Sequence, residues 1–140
     1  MVGTFDSGLA MGAAIIAAES FDLGIVPIGG IRREPEEMIK LLNLPKYTFP
    51  IAGLCIGYPE NNSKQKPRLP KEAFIHFDSY NVDNVKKSID EYDIVMESYL
   101  KEVGREKEKN WSLNTANIYK QVYFPKVHPT LIKQGFKNDK

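Results

Sequence analysis

Val26-Pro27-Ile28-Gly29-Gly30-Ile31-Arg32 is a short apolar strand that runs into two glycines. A second apolar run lies at Phe49 to Pro59, and its part from Ile51 to Ile56 does not alternate, which predicts a strand in a sheet covered on both faces. Glycines at strand ends leave backbone N–H groups uncovered, so a flat ligand can approach the main chain. Downstream, Lys66-Pro67-Arg68-Leu69-Pro70 holds two basic side chains between prolines, a pattern suited to gripping a phosphate. Together these segments indicate a planar, phosphorylated cofactor.

The composition is typical of an ordinary globular domain. The chain has 140 residues and a formal net charge of +1, with 19 Lys and Arg against 18 Asp and Glu. No global basic field therefore points to nucleic acid or to an anionic membrane. The longest apolar run, Leu9 to Ala18, is shorter than the roughly 20 residues that span a bilayer, and it lacks the basic flank of a signal peptide. We expect a cytoplasmic protein with no nucleic-acid or membrane partner.

Few side chains are of the kind that catalyses reactions or binds metals. The single cysteine, Cys55, excludes an internal disulfide, and its apolar neighbours predict a buried, reduced thiol. Neither His76 nor His128 has a carboxylate or cysteine at ligand spacing. The serines lack a nucleophile-elbow context, and Gly29-Gly30 does not fit a phosphate-loop or dinucleotide fingerprint. We therefore predict no catalytic side chain and no metal site.

The first predicted helix has small or apolar residues on every face. It is expected to start at a cap on Asp6 or Ser7, to include Leu9 to Ala18, and to be closed by Leu23-Gly24. A helix that is apolar all round must be surrounded by protein. Its small residues would permit close packing against a second helix. The sequence therefore predicts a homodimer with this helix in the interface.

The rest of the chain alternates between short strands and helices. Its longest helix is predicted from Asn81 to Val103, where apolar residues follow a 4-3-4-3-4 spacing and Gly104 ends the pattern. The other predicted elements are a strand at Ile25 to Ile28, a helix from Pro35 to Leu42 stopped by Asn43 and Pro45, a strand at Phe74 to Phe77, a charged loop at 104–110, a helix from Trp111 to about Val122, and a last helix interrupted by Pro125 and Pro129.

A long ordered set of runs carries a resemblance to a known family: Ala17-Ala18-Glu19-Ser20, Leu23-Gly24, Val26-Pro27-Ile28-Gly29-Gly30-Ile31-Arg32, Pro35-Glu36-Glu37, Leu41-Leu42, Leu44-Pro45, Gly53-Leu54-Cys55-Ile56-Gly57-Tyr58-Pro59 and Lys66-Pro67-Arg68-Leu69-Pro70, with Trp111-Ser112 and Lys133-Gln134-Gly135-Phe136 as later matches. On these runs, which are dense from about Asp6 to Tyr80, the chain resembles the nitroreductase family, in particular the branch of NADPH-dependent, oxygen-insensitive nitroreductases and flavin reductases. The resemblance implies a nitroreductase-like α+β fold with a central apolar helix, a small sheet and flanking helices.

The same resemblance implies homodimers with FMN at the dimer interface. The implied reaction is the two-electron reduction of a small-molecule acceptor, a nitroaromatic, a quinone or a flavin, at the expense of NADPH or NADH. Family members carry a further N-terminal portion with an Arg-Ser-x-x-Arg-type segment that grips FMN, and this sequence contains no such segment. We therefore expect the chain to correspond to the C-terminal portion of the family domain, as a single domain over 1–140 in which 104–140 is more peripheral.

Two groups of cofactor-binding residues follow from the resemblance. The main chain of Ile28, Gly29 and Gly30 is expected along the edge of the isoalloxazine ring, although two adjacent glycines alone also suit an ordinary tight turn. Lys66 and Arg68 are expected to pair with the FMN phosphate, although such a pair by itself is usually solvated surface.

A third group concerns the nucleotide. Arg32 is expected at the mouth of the site, where this branch uses an arginine against the 2′-phosphate of NADPH. Arg105, in the charged loop, is a second candidate that also suits a solvated position. The alternative to an enzyme is a non-catalytic, truncated remnant that acts as a dimeric structural or interaction domain with weak or no flavin binding.

Overall fold

The computed structural model describes residues 2–61, 64–108 and 110–137. By their contacts these residues divide into two units, 2–61 with 124–137 and 64–108 with 110–123. The single domain predicted over 1–140 stays a prediction. The first unit contains, in chain order, α1 (Val2–Glu19), β1 (Gly24–Ile28), a 3₁₀ helix (Gly30–Arg33), α2 (Pro35–Leu41), β2 (Gly53–Gly57) and α5 (Val127–Lys133). The second unit contains a 3₁₀ helix (Lys71–Ala73), α3 (Val82–Glu102) and α4 (Trp111–Tyr119).

The two strands of the first unit form an antiparallel sheet. Gly24 lies opposite Gly57 and Ile28 lies opposite Gly53, so both predicted strands are confirmed to within a few residues. The prediction that the sheet would be buried on both faces is wrong, because Cys55 is exposed and Ile56 is 48% exposed. A two-stranded sheet has two open edges and few neighbouring elements, and within the described part of the unit the centre of β2 is left accessible to solvent. The predicted burial of the Cys55 thiol is therefore corrected.

Helix α1 starts earlier than predicted and ends without a glycine. Asp6 and Ser7 lie inside the helix, and the Ser7 hydroxyl donates to the Gly3 carbonyl oxygen at 2.7 Å instead of capping a helix start. After the helix, Asp22 adopts the left-handed conformation at φ 57°, which reverses the chain, while Gly24 belongs to β1. Asp is among the few residues other than glycine that tolerate this conformation. The predicted cap is wrong. The predicted Leu23-Gly24 closure is right for Leu23, whose N–H donates to the Ala18 carbonyl at 3.1 Å, and wrong for Gly24.

The apolar surface of α1 is largely uncovered by the rest of the described chain. Ala18 is its one buried residue among those described. Val2 is 75% exposed, Phe5 67%, Leu9 59% and Ile16 70%. None of the helices in the described ranges combines the length and apolar character that crossing a membrane requires.

Helices α2 and α5 lie side by side in the first unit. Helix α2 begins at Pro35, as predicted, because proline at the first helical position costs no hydrogen bond, and Asn43 at φ 50° lies just after its end. Two ion pairs link this region, one between Lys126 and Glu34, the residues just before α5 and α2, and one between Lys133 of α5 and Glu36 of α2, and each side chain is about half exposed or more. Exposed pairs of this kind contribute about 0–1 kcal/mol each to stability.

The second unit is built around α3, which confirms the predicted amphipathic helix. The Asn81 side chain accepts a hydrogen bond from the Asn84 N–H at 2.9 Å and so caps the start, and Gly104 at φ 73° follows the end. The buried core residues of α3 are Tyr92, Met96 and Leu100, against which Leu69, Tyr99 and Trp111 pack.

Two other predictions for this unit are corrected. The strand expected at Phe74 to Phe77 is absent from the described residues: a 3₁₀ helix ends at Ala73, and the Ile75 N–H donates to the Lys71 carbonyl at 2.8 Å, which holds this stretch in a turn. Helix α4 ends at Tyr119 instead of about Val122.

Candidate functional site

The loop that follows β1 carries the glycines predicted at the cofactor. Gly29 precedes the 3₁₀ helix Gly30–Arg33, whose first hydrogen bond runs from the Arg32 N–H to the Gly29 carbonyl at 3.2 Å. The N–H groups of Gly29 and Gly30 lie before that bond and have no partner within the helix. The structure therefore presents two main-chain donors at the end of β1.

This loop has the steric properties that a planar ligand needs. Gly30 is exposed, and a Cβ atom built on it would meet nothing within 4 Å. A flat ring can thus approach the backbone at Gly30, and the adjacent N–H donors suit the carbonyl and ring-nitrogen acceptors of a flavin edge. The residues present fit the group that the sequence predicts.

Arg32 folds back over the same loop. Its Nε donates to the Gly29 carbonyl at 3.3 Å, and its guanidinium carbon lies 5.1 Å from the centre of the Phe124 ring. A Cβ atom on Gly29 would come within 2.9 Å of the Arg32 Nη2 atom. Gly29 therefore leaves the space that this guanidinium occupies, and the half-buried Arg32 is held by contacts on two sides.

The basic segment Lys66-Pro67-Arg68 lies in the second unit, in a stretch without regular secondary structure. Arg68 Nη1 donates to the Lys66 carbonyl at 2.8 Å and lies 3.3 Å from the Pro67 carbonyl. Both basic side chains are exposed, and among the ion pairs of the described residues none involves either of them. Two cations that form no ion pair with any carboxylate in the described part of the chain make a donor set that fits a phosphate.

Arg105 has a partner of its own. Its Nε and Nη2 atoms donate to the two carboxylate oxygens of Glu108 at 2.5 and 2.7 Å. The hydrogen bond to Glu108 and its charge raise the pKa of the Arg105 guanidinium. The loop therefore has the ion pair expected of a solvated, mixed-charge connection, and the nucleotide contact predicted for Arg105 stays a prediction.

The predicted residues fall into separate groups. The loop after β1 brings Ile28, Gly29, Gly30 and Arg32 together in the first unit. Lys66 and Arg68 are adjacent in the second unit, which also contains Arg105 with its Glu108 partner.

Two contacts made by the candidate site residues were not predicted from the sequence. The aromatic ring under Arg32 belongs to Phe124, which is far away in the sequence and lies in no recognisable motif. The hydroxyl of Tyr92 donates to the Pro67 carbonyl at 3.0 Å, between the two basic residues. The periodicity of α3 identifies Tyr92 as a core position, but no sequence pattern reveals where its hydroxyl points.

His76 contacts residues that follow it closely in the sequence. His76 Nδ1 lies 3.4 Å from the Asn81 N–H, and its ring packs on Tyr80 at 4.4 Å between ring centres. Within residues 2–61, 64–108 and 110–137, no group of three or more His, Cys, Asp and Glu side chains is placed to hold a metal ion.

Two clefts in the described residues are lined by other side chains, although the second includes Glu108, the partner of Arg105. One, of about 470 Å³ in the first unit, is lined by residues that include Tyr47, Phe49 and Phe136. The other, of about 350 Å³ in the second unit, is lined by residues that include Glu97 and Lys101. Neither contains a predicted cofactor-binding residue. The loop after β1 and the basic segment remain the candidate cofactor site, because their N–H groups and cations can donate hydrogen bonds to the ring edge and the phosphate of a flavin.

Two family models match this chain, one on each side of residue 60. A model described as "Nitroreductase family" matches residues 2–58, and one described as "Nitroreductase family, C-terminal domain" matches residues 66–139. FMN reductase [NAD(P)H] of Bacillus subtilis is 47% identical over 142 residues, which cover 100% of this chain and 57% of that protein. Oxygen-insensitive NADPH nitroreductase of Salmonella typhimurium is 36% identical over 137 residues, 97% of this chain and 57% of that protein.

Solved structures give the same result. The structure of B. megaterium NfrA2 matches with a TM-score of 0.93 and 49% identity, and the match covers 99% of this chain and 56% of that one. The NADPH:FMN oxidoreductase from Vibrio harveyi, complexed with NAD+, matches with a TM-score of 0.79 and 31% identity over 95% of this chain and 54% of that one. The chain thus spans about half the length of the relatives it matches.

Proposed function

Because the chain belongs to the nitroreductase family, we propose that it supplies cofactor-binding residues of an FMN-dependent NAD(P)H oxidoreductase. The activity is itself part of the proposal, because the chain covers only 57% of the B. subtilis relative that is named FMN reductase [NAD(P)H]. When bound, FMN supplies the redox chemistry, taking two electrons from the reduced nicotinamide and passing them to an acceptor. We propose nitroaromatics, quinones and flavins as the acceptors.

The loop after β1 would bind the ring of the cofactor. The main chain of Ile28, Gly29 and Gly30 would lie along the isoalloxazine edge, and its N–H groups would donate to the polar atoms there. Fixed donors stabilise negative charge that develops on the flavin, which is the usual contribution of the protein in such enzymes. The open space at Gly30 supports this role, because a side chain there would stand between the ring and the backbone.

Lys66 and Arg68 would bind the FMN phosphate. The observation that carries the proposal is that both are exposed and neither forms an ion pair within the described residues. Their positive charges are therefore available without the cost of breaking an existing pair. A hydrogen bond to a charged group is worth about 1.5–3 kcal/mol, so each residue would contribute a factor of about 10 to 150 in affinity.

The nucleotide would be selected by Arg32. Its guanidinium, held between the Gly29 carbonyl and the Phe124 ring, would pair with the 2′-phosphate of NADPH. Arg105 is the second candidate, and it would have to leave Glu108 in order to bind the nucleotide.

We further propose a homodimer that buries α1. Four large apolar side chains of this helix are more than half exposed, Val2, Phe5, Leu9 and Ile16. Soluble monomers rarely expose contiguous apolar patches larger than a few hundred Å², and a two-fold axis is the commonest way to cover one. A cytoplasmic location stays a prediction from the sequence.

Titration of FMN with the purified chain, followed by flavin fluorescence, tests the proposed phosphate contact. Arg68→Ala is expected to weaken FMN binding by about 10- to 150-fold, because one charge-assisted hydrogen bond is lost. Lys71→Ala is the matched control, since it removes an exposed cation a few residues away that the proposal leaves without a role. Equal FMN affinity in the wild type and in Arg68→Ala would remove this residue from the site.

A further inference from the structure

The hydroxyl of Tyr92 reaches out of the core of the second unit to the basic segment. Tyr92 is only 6% exposed, and its hydroxyl donates to the carbonyl of Pro67, the residue between Lys66 and Arg68, at 3.0 Å. The same carbonyl lies 3.3 Å from Arg68 Nη1, and a carbonyl oxygen can accept two hydrogen bonds. A buried side chain and an exposed cation thus meet at one main-chain atom.

The position of that hydroxyl is fixed by packing. The Tyr92 ring lies edge-on to Trp111, with 5.7 Å between ring centres and an interplanar angle of 69°. It belongs to the core cluster with Met96 and Leu100, against which Leu69 also packs. The segment is therefore held on both sides of Arg68, by a hydrogen bond at the preceding residue and by apolar contact at the following one.

The ends of the segment are tied by the exposed Lys64–Glu102 ion pair and by the Ala73 N–H, which donates to the Pro70 carbonyl at 3.0 Å, but neither contact reaches the residues between Lys66 and Arg68. Residues 64–70 have no regular secondary structure, and Pro67 and Pro70 carry no N–H to donate. A phenylalanine would fill the same space in the core and bury the same ring. The hydroxyl therefore adds nothing to apolar packing that a ring alone would not, and its distinguishing contact is the Pro67 carbonyl.

We infer that Tyr92 is a positioning residue that orders Lys66 and Arg68 for a phosphate, an inference that rests on the proposed binding of FMN by these two residues. Without the hydroxyl the segment samples more conformations, and phosphate binding must order it first. The expected loss of FMN affinity is about 2- to 12-fold, the equivalent of one net intramolecular hydrogen bond. The ring system of the flavin does not contact this segment in the proposal, so its own binding is unaffected.

The test compares FMN with riboflavin, which has the same ring system and no phosphate. Dissociation constants for both are measured by flavin fluorescence with wild-type chain, Tyr92→Phe, Arg68→Ala and the control Tyr99→Phe. Tyr99 is on the same helix and packs against the same core, but its hydroxyl makes no contact with the Pro67 carbonyl. We expect Tyr92→Phe to lower the preference for FMN over riboflavin by about 2- to 12-fold with riboflavin affinity unchanged, and Tyr99→Phe to leave the preference as in wild type.

Each other outcome overturns a defined part of the reasoning. If Tyr92→Phe weakens FMN and riboflavin equally, Tyr92 is only structural and the inference is wrong. If Arg68→Ala loses the FMN preference while Tyr92→Phe keeps it, the proposed phosphate contact stands and the positioning role fails. If the wild type shows no preference for FMN, the proposed contact and the inference fall together.

A second variant keeps the inference testable if Tyr92→Phe does not fold. Pro67→Gly loosens the same segment without altering the core, because glycine restores the backbone freedom that proline removes. We expect Pro67→Gly to lower the FMN preference while the urea midpoint stays close to that of wild type. An unchanged preference would show that order in this segment is irrelevant to phosphate binding.

Discussion

A methyl group placed on Gly29 offers a sharp test of nucleotide selection by Arg32, because it leaves the arginine itself in the protein. Gly29 has φ −79° and ψ −22°, a conformation that alanine adopts without strain. The Cβ atom of Gly29→Ala would, however, lie 2.9 Å from the Arg32 Nη2 atom and 4.0 Å from Cζ. The guanidinium must therefore move, and it gives up some of its contact with the Phe124 ring.

The magnitude can be worked from these contacts. Arg32→Ala removes a charge-assisted hydrogen bond worth about 1.5–3 kcal/mol, so NADPH affinity should fall by about 10- to 150-fold and NADH affinity by little. Gly29→Ala keeps the charge but disturbs its support, and a cation–π contact at a part-exposed site is worth about 0.5–1 kcal/mol. The expected loss of NADPH affinity in Gly29→Ala is therefore about 2- to 5-fold, again with little change for NADH.

Isothermal titration calorimetry of the FMN-saturated chain with NADP+ and NAD+, which differ by the same 2′-phosphate as NADPH and NADH but cannot reduce the flavin, gives the ratio of the two affinities. Arg33→Ala is the control, since Arg33 is the exposed neighbour in the same 3₁₀ helix and should leave the ratio unchanged. Equal losses of NADP+ and NAD+ affinity in Arg32→Ala would refute the assignment. If the preference for the phosphorylated nucleotide falls as far in Gly29→Ala as in Arg32→Ala, the placement of the guanidinium matters more than the contact energies indicate.

Two further predictions concern stability and assembly. Gly135→Ala should lower the free energy of unfolding by about 2–5 kcal/mol in urea titrations, because φ is +98° there and the Cβ atom would lie 2.7 Å from the Tyr47 ring. Gly104→Ala, at φ +73° with nothing within 4 Å, should cost only the backbone part of about 1–2 kcal/mol, and an equal loss in both variants would argue against the ring contact. Ile16→Asp should shift sedimentation from dimer to monomer while Ile94→Asp, at a side chain of similar exposure, should not, and a wild-type monomer at micromolar concentration would contradict the proposed interface.

The parts of the fold that sequence could predict are those governed by local rules. The nitroreductase-like α+β fold is confirmed, with TM-scores of up to 0.93 to solved structures. Helix α3 has the amphipathic spacing, the Asn81 cap and the terminal Gly104 that predict it, and the structure contains all three. Helix α2 likewise begins at its proline. In each case the residues that specify the element lie within the element or next to it.

The errors occurred where distant residues or the surroundings decide. The apolar character of β2 predicted that the strand and Cys55 would be buried. Burial depends, however, on how many elements pack on the sheet, and within the described residues few do. The aromatic run Phe74 to Phe77 has the composition of a strand, yet it has no strand partner among the described residues and forms a turn.

The supports of the candidate site were also beyond sequence reasoning. Phe124 reaches Arg32, and Tyr92 reaches Pro67, through contacts between residues far apart in the chain. Neither contact leaves a local pattern of spacing or composition. The residues that would touch the cofactor lie in recognisable motifs, whereas the residues that hold them in place become visible only in the folded structure.

The most direct test of the central claim is anaerobic mixing of the FMN-loaded chain with NADPH, with the visible absorbance of the flavin followed over time. An FMN-dependent oxidoreductase predicts that the absorbance bleaches faster than that of free FMN mixed with the same NADPH, and that addition of a quinone or a nitroaromatic restores it. Bleaching at the rate of free FMN would contradict the account and would favour a non-catalytic role for this chain.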